Sequence, residues 1–201
     1  IEPARTYILE ALKAGKNVVT ANKDLLAEHG KELMDAAEEY HKDLYFEAAV
    51  GGGIPIIRPL GSCLAANEIS EIYGILNGTT NYILTKMIKE GLSFDTALKQ
   101  AQEKGYAEAD PTADVEGFDA CRKICILASL SFGRHVYPAQ VPTQGITGVT
   151  AQDVALAEAA GMKIKLLGRA ILQEDGKVVA YVAPHLIPAD QQMAGVEDVF
   201  N

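Results

Sequence analysis

Residues 105–132 read GYAEADPTADVEGFDACRKICILASLSF, and the chain changes character inside that run. Its first part sets Glu108, Asp110, Asp114, Glu116 and Asp119 in a polar loop, whereas residues 124–132 carry no charge at all. A helix with no polar face is buried nearly all round, so this segment is the centre of the core. Lys123 is the last charge before it. An ammonium held where a helix enters an apolar interior is pushed toward its neutral form, while nearby carboxylates favour the charged one, and that balance makes a lysine a proton carrier. Asp119 stands one helical turn before Lys123 and Glu116 about one turn before Asp119, so the acids and the amine share a face. The plainer alternative is a helix start with Asp110 or Asp114 as N-cap, Pro111 in the first turn and an ordinary surface ion pair.

Working outward toward the N-terminus, Tyr7, Ile8, Ala11 and Leu12 recur at helical spacing until Gly15 ends the pattern. Residues 17–20 form a short strand, residues 23–40 an amphipathic helix interrupted near Gly30 with Leu33, Met34 and Ala37 inward, and residues 44–50 a second strand. Helix, strand, helix, strand is the rhythm of an α/β layer, whose ligands gather at the carboxyl ends of parallel strands. Lys23 and the turn Gly51-Gly52-Gly53 lie at such ends, although a solvated lysine and a plain glycine turn would look the same in sequence. The three glycines do not fit the dinucleotide fingerprint, because Ile56 occupies the third position after Gly53 and Pro55 interrupts any helix start.

Downstream of these, residues 71–76 read as a strand, Asn77-Gly78 as a turn, and Thr79 or Thr80 as the cap of a helix from Asn81, whose first amides can also receive an anion. A further helix spans 94–104 with Ala97, Leu98 and Ala101 inward. After the central helix come a short helix at 152–161 and two strands, 164–173 and 178–185, joined through Asp175-Gly176. Alternation along 165–170 suits a sheet with one covered face. The fold class is therefore α/β (α+β): a mixed sheet covered by helices.

The 201 residues carry 27 acidic and 18 basic side chains, a net charge of −9 without a basic cluster, which argues against nucleic-acid and anionic-membrane partners. No apolar run approaches a membrane span, and the N-terminus lacks the order of a signal peptide. Cys63, Cys121 and Cys125 form no Cys-x-x-Cys pair; Cys121 and Cys125 sit on successive helical turns and are expected to pack, consistent with a reducing cytoplasm. The four histidines are too scattered for a metal constellation.

Four ordered segments resemble the homoserine dehydrogenase family: TANK at 20–23, EAAVGGGIP at 47–55, GILNGTTNYI at 74–83, and the run from Gly105 to Lys123. The resemblance spans essentially the whole chain. It implies residues 1–47 as the end of a Rossmann-like dinucleotide-binding domain, its glycine fingerprint preceding Ile1, and residues 48–201 as the substrate-binding, catalytic and dimerisation domain. It implies an NADP- or NAD-dependent oxidoreductase of the aspartate pathway of threonine and methionine synthesis, converting homoserine to aspartate semialdehyde as a cytoplasmic homodimer. Lys123 and Lys23 are the implied catalytic lysines, the sequence not deciding which one transfers the proton. Glu108, Asp119, Asp114 and Thr79 are implied at the substrate, Gly105 and Lys23 at the nicotinamide. Glu47, Val50, Gly52 and Ile54 are implied as oxygen ligands of a sodium ion. A segment without its cofactor cradle is expected to be inactive alone.

Two readings of other classes fit the same residues. Lys123 could be the nucleophile of a Schiff-base lyase or aldolase, or the chain could be a dimerisation module with a non-catalytic pocket.

Overall fold

Ile8 and Leu12, four residues apart, form the buried stripe of α1 (Ala4–Lys13) in a computed structural model that describes residues 1–201. They lie against α2 (Lys23–Glu39), which buries Leu25, Leu26, Leu33 and Ala37. Asn22 begins α2 by accepting the Leu25 N–H on its side chain at 3.0 Å, supplying one of the partners that a helix start lacks. On either side of α2 run β1 (Val18–Val19) and β2 (Leu44–Tyr45), paired in parallel with Val18 opposite Leu44 and Val19 opposite Tyr45. This is the expected strand–helix–strand unit.

Three expectations are corrected here. Gly30 does not interrupt α2, which runs on through it. Its missing side chain makes room for His135, since a Cβ there would stand 3.3 Å from His135 Cε1. Met34 is 38% exposed rather than inward, because the buried stripe of α2 passes through Leu33 and Ala37. The second strand ends at Tyr45, and residues Glu47–Ala49 form a 3₁₀ turn. The Glu47 carboxylate accepts the backbone N–H groups of Ile56, Ile57 and Arg58, at 2.7, 2.9 and 2.8 Å, and this offers the chain an alternative to a sheet ladder.

By its contacts the chain forms two compact units, each made of three segments. The first contains Ile1–Ile72, Arg122–Val141 and Ala170–Ala180; the second contains Tyr73–Cys121, Pro142–Arg169 and Tyr181–Asn201. The elements after β2 are β3 (Glu71–Gly74), α3 (Gly78–Glu90), α4 (Phe94–Glu103), α5 (Thr112–Val115), α6 (Phe118–Phe132), α7 (Ala151–Ala159), β4 (Met162–Leu172) and β5 (Val178–Pro188). The last two strands join β3 in one sheet of order β3-β4-β5.

In the second unit α3 is the central helix. Residues 79–85 are all buried, and α4 packs on it through Ala97 and Ala101. Ile75, Leu167, Ile187 and Ala194 form an apolar cluster with Met193 and Val196 against it. Burying each large aliphatic side chain contributes roughly 1.5–3 kcal/mol, which makes this cluster a main tie between sheet and C-terminal segment.

The charge-free run of the central helix is buried in its first half, whereas residues 129–132 are only half-buried, so the expectation of burial all round holds for 124–128. Ile124, Cys125, Ile126, Leu127 and Ala128 are each at most 4% exposed, and Cys121 is also buried, so both cysteines pack as expected. Strand β4 departs from the one-face pattern: Ile164, Lys165, Leu166 and Leu167 are all buried, so both its faces are covered at this point. No helix is long and apolar enough to cross a membrane.

Candidate active site

Asn77, not a threonine, caps α3. Its Oδ1 accepts the Thr80 N–H at 2.8 Å and the Thr80 hydroxyl at 2.9 Å. Starting the helix at Gly78 rather than at Asn81 turns the other end of the amide toward the acidic loop. There its Nδ2 donates to Asp114 Oδ1 at 2.7 Å and to Asp119 Oδ2 at 2.9 Å. Asn77 is 5% and Asp119 6% exposed, so two carboxylates are gathered on one buried amide. Asp119 is buried and Asp114 half-buried, and each turns one carboxylate oxygen to the same amide nitrogen.

The loop that carries these acids is shaped by local chemistry. Asp110 Oδ1 accepts the Thr112 N–H at 3.1 Å and the Thr112 hydroxyl at 2.6 Å, although the N-cap position of α5 is Pro111 rather than Asp110 or Asp114. Burial counts against the charged Asp110 carboxyl only weakly; the Thr112 hydroxyl and N–H hold its pKa below the usual value. Gly117, at φ +83°, turns the chain from α5 into α6, and a Cβ there would meet Thr143 Cγ2 at 3.1 Å. Asp119 follows in the first turn of α6, where a carboxylate is favoured by the helix dipole. Ile146 N–H donates to Val115 O at 2.8 Å, which ties the 143–146 segment to the α5–α6 corner.

The remaining expected residues fall around this centre. Thr79, 9% exposed, donates its hydroxyl to Tyr106 O at 2.7 Å and so fastens the start of α3 to the residue after Gly105. Gly105 itself is exposed at φ +73°, ending the α4 turn. Glu108 is exposed, and its backbone oxygen accepts from Gln102 Nε2 at 3.1 Å. Asp114 and Asp119 are thus brought together, Thr79 joins them at the head of α3, and Glu108 stands on the outer surface of the loop.

The two lysines belong to the first unit. Lys23 is the first residue of α2, at the carboxyl end of β1, and Lys123 lies on α6; both are half-buried. Their sequence neighbours Asp24 and Arg122 form an ion pair at 2.5 Å, which brings the two lysine positions to one contact. Glu47, Val50, Gly52 and Ile54 lie around the 51–54 loop, where Gly51 and Gly53 adopt φ +61° and +83° and Ile54 N–H donates to Gly51 O at 2.7 Å. Both Glu47 carboxylate oxygens accept backbone N–H groups from the residues that follow this loop.

Glu47 yields a direct test. Burial raises its pKa, but hydrogen bonds from the Ile56, Arg58 and Ile57 N–H groups outweigh that and hold it below 4.5. A depressed carboxyl pKa adds stability above the unfolded value, and that stability is lost as pH falls through the folded one. Glu47→Gln is therefore expected to cost about 1 kcal/mol near neutral pH, the exposure of the group limiting the loss. Urea denaturation of both proteins at neutral pH and well below pH 4.5 should show the difference shrinking in acid.

Two features were not foreseen from the sequence. Asn77 reads there as a turn former and, by the family resemblance, as a residue bordering the substrate or nicotinamide; its capping of α3 was missed, although Asn-Gly-Thr-Thr before an apolar run is also a cap signal. Lys165, buried among Ile164, Leu166 and Leu167, gave no signal beyond a charge inside an apolar run.

A parallel strand–helix–strand layer with a lysine after its first strand, followed by a helix-and-sheet unit in which one buried amide holds two carboxylates, defines a two-unit α/β protein. The homoserine dehydrogenase family model matches residues 55–201, and the model for the homoserine dehydrogenase NAD-binding domain matches residues 1–47. Homoserine dehydrogenase of Lactococcus lactis is 48% identical over 201 residues, covering all of this chain and 47% of that protein. The Bacillus subtilis homoserine dehydrogenase is 47% identical over 202 residues, with 46% of its length covered. The crystal structure of a homoserine dehydrogenase from Thiobacillus denitrificans superposes with a TM-score of 0.95 at 46% identity, covering 98% of this chain and 46% of that one. The chain belongs to the homoserine dehydrogenase family, and spans about half the length of the curated relatives it matches.

Proposed function

We propose that the full-length protein is an NAD- or NADP-dependent homoserine dehydrogenase, interconverting homoserine and aspartate semialdehyde. The observation that carries this reading is the pair of carboxylates on the Asn77 amide, half-buried Asp114 and buried Asp119, the second of them one helical turn before Lys123. Homoserine brings an ammonium for the acid pair and a hydroxyl whose proton must leave when its carbon is oxidised. Lys123 takes that proton in oxidation and returns it in reduction. Asp119 and Glu108 hold the substrate ammonium or orient Lys123, with Asp114 assisting and Thr79 at the edge of the substrate site. Lys23 polarises the reacting oxygen.

The nicotinamide supplies the hydride acceptor when bound, and Gly105 and Lys23 are the residues of this chain that would border it. The β1–α2–β2 layer fits such a cofactor because Lys23 follows the carboxyl end of a parallel strand. Residues 1–47 act as the end of the nucleotide-binding domain and 48–201 as the substrate and dimerisation domain. The hard-oxygen set of Glu47, Val50, Gly52 and Ile54 would hold a sodium ion. The enzyme works as a cytoplasmic homodimer.

The test is oxidation of homoserine by the full-length protein, followed by absorbance of reduced nicotinamide with NAD and with NADP. Turnover with either cofactor supports the reading. Inactivity with both, in a folded protein, overturns it.

A further inference from the structure

Lys165 is 1% exposed, the most deeply buried charge-bearing side chain of the molecule. Its Nζ donates to Asn81 Oδ1 at 2.9 Å and to the carbonyl of Val196. Asn81, also 1% exposed, turns its Nδ2 to the carbonyls of Val196 at 3.2 Å and Phe200 at 3.0 Å. One buried amine and one buried amide therefore hold both ends of segment 196–200. Between those ends, Asp198 N–H donates to Thr85 Oγ1 at 3.1 Å, and Glu197 pairs with Lys89 and, at 3.3 Å, with Lys163.

The segment crosses the start of α3 so closely that a Cβ on Gly78 would stand 2.5 Å from Val199 O. Gly78 follows the residue that gathers Asp114 and Asp119, and precedes Thr79. We propose that Lys165 is a positioning residue for the active site: through Asn81 it clamps segment 196–200 across the start of α3 and so fixes the turn at 77–79. The role rests on the reading of that turn as the edge of the homoserine pocket.

Burial pushes the Lys165 pKa down to about 8, with Lys163 and Lys89 acting in the same direction and Glu197 against it. The clamp survives loss of that proton, because a neutral amine still has two N–H groups for the Asn81 and Val196 oxygens. Lys165→Met keeps most of the volume and removes both donors, leaving two buried acceptors without that partner.

The experiment uses the full-length protein, with hydrogen–deuterium exchange of peptides covering 77–80 and 196–201, and steady-state kinetics with homoserine. In Lys165→Met both peptides are expected to exchange faster together, and KM for homoserine to rise by about 10-fold. Faster exchange confined to 196–201, with KM at the parent value, would show that Lys165 only anchors the tail and would overturn the role. Should Lys165→Met not fold, Glu197→Ala loosens the same segment from its partly exposed side. A paired rise in exchange then supports the clamp, and a rise at 196–201 alone overturns it. Because exchange needs no substrate, an inactive parent defeats the homoserine reading without deciding this one.

Discussion

Replacing Lys123 with alanine in the full-length protein is expected to lower kcat for homoserine oxidation by about 100-fold or more while leaving the fold intact. The side chain is half-buried on α6, one turn after the buried Asp119 and directly before five residues that are at most 4% exposed. Its removal takes away the group proposed to accept the hydroxyl proton and leaves the five buried residues after it in place. A large loss of stability is therefore not part of the expectation, and circular dichroism and thermal melting of parent and variant check that. Lys123→Arg separates proton transfer from charge. A guanidinium remains charged at any working pH, so it can hold an anion yet not accept a proton. If the arginine variant is as impaired in kcat as the alanine variant, Lys123 is the proton carrier. If both variants keep parental kcat, the role passes to Lys23, whose position shares the Asp24–Arg122 contact.

A second large effect is expected from backbone packing alone. Gly145→Ala should cost about 3 kcal/mol, lowering the melting temperature by roughly 6–12 °C. A Cβ at position 145 would lie 2.0 Å from Val115 O and 2.4 Å from Glu116 Cα. Both obstacles are backbone, so no side-chain rotation relieves them; the loop must lift from the α5–α6 corner. Lifting it strains the bond from Ile146 N–H to Val115 O, and the corner it leaves carries Asp114 and Asp119. The measurement is calorimetric melting together with KM for homoserine, and both are expected to change. An alanine variant with parental melting temperature would show that the loop has room the glycine does not reveal.

How much of this was legible in the sequence depends on the distance over which each feature is decided. The core helix could be read directly, because a run without charge has no face to give to water. The βαβ rhythm was readable for the same kind of reason, from apolar spacing and glycine stops. The acids of the 105–119 loop were visible as a cluster, Lys123 as the last charge before the apolar run, and the family resemblance implied Lys23 as a second catalytic lysine.

Local competition decided the corrections. The second strand stopped at Tyr45 because the Glu47 carboxylate reaches residues nine to eleven positions ahead. Helix α3 began at Gly78 because the Asn77 side chain both caps it and meets acids 37 and 42 residues away. A propensity pattern contains no term for partners at that separation. Lys165 is the extreme case: it is held by Asn81, 84 residues upstream, and by Val196, 31 residues downstream. By itself, the sequence of this protein determined the elements, the composition of the core and the chemical types present at the site. Only the tertiary structure decided which amide gathers which carboxylates and which lysine goes inside, because a buried polar group is tolerated only where folding brings its partners to it.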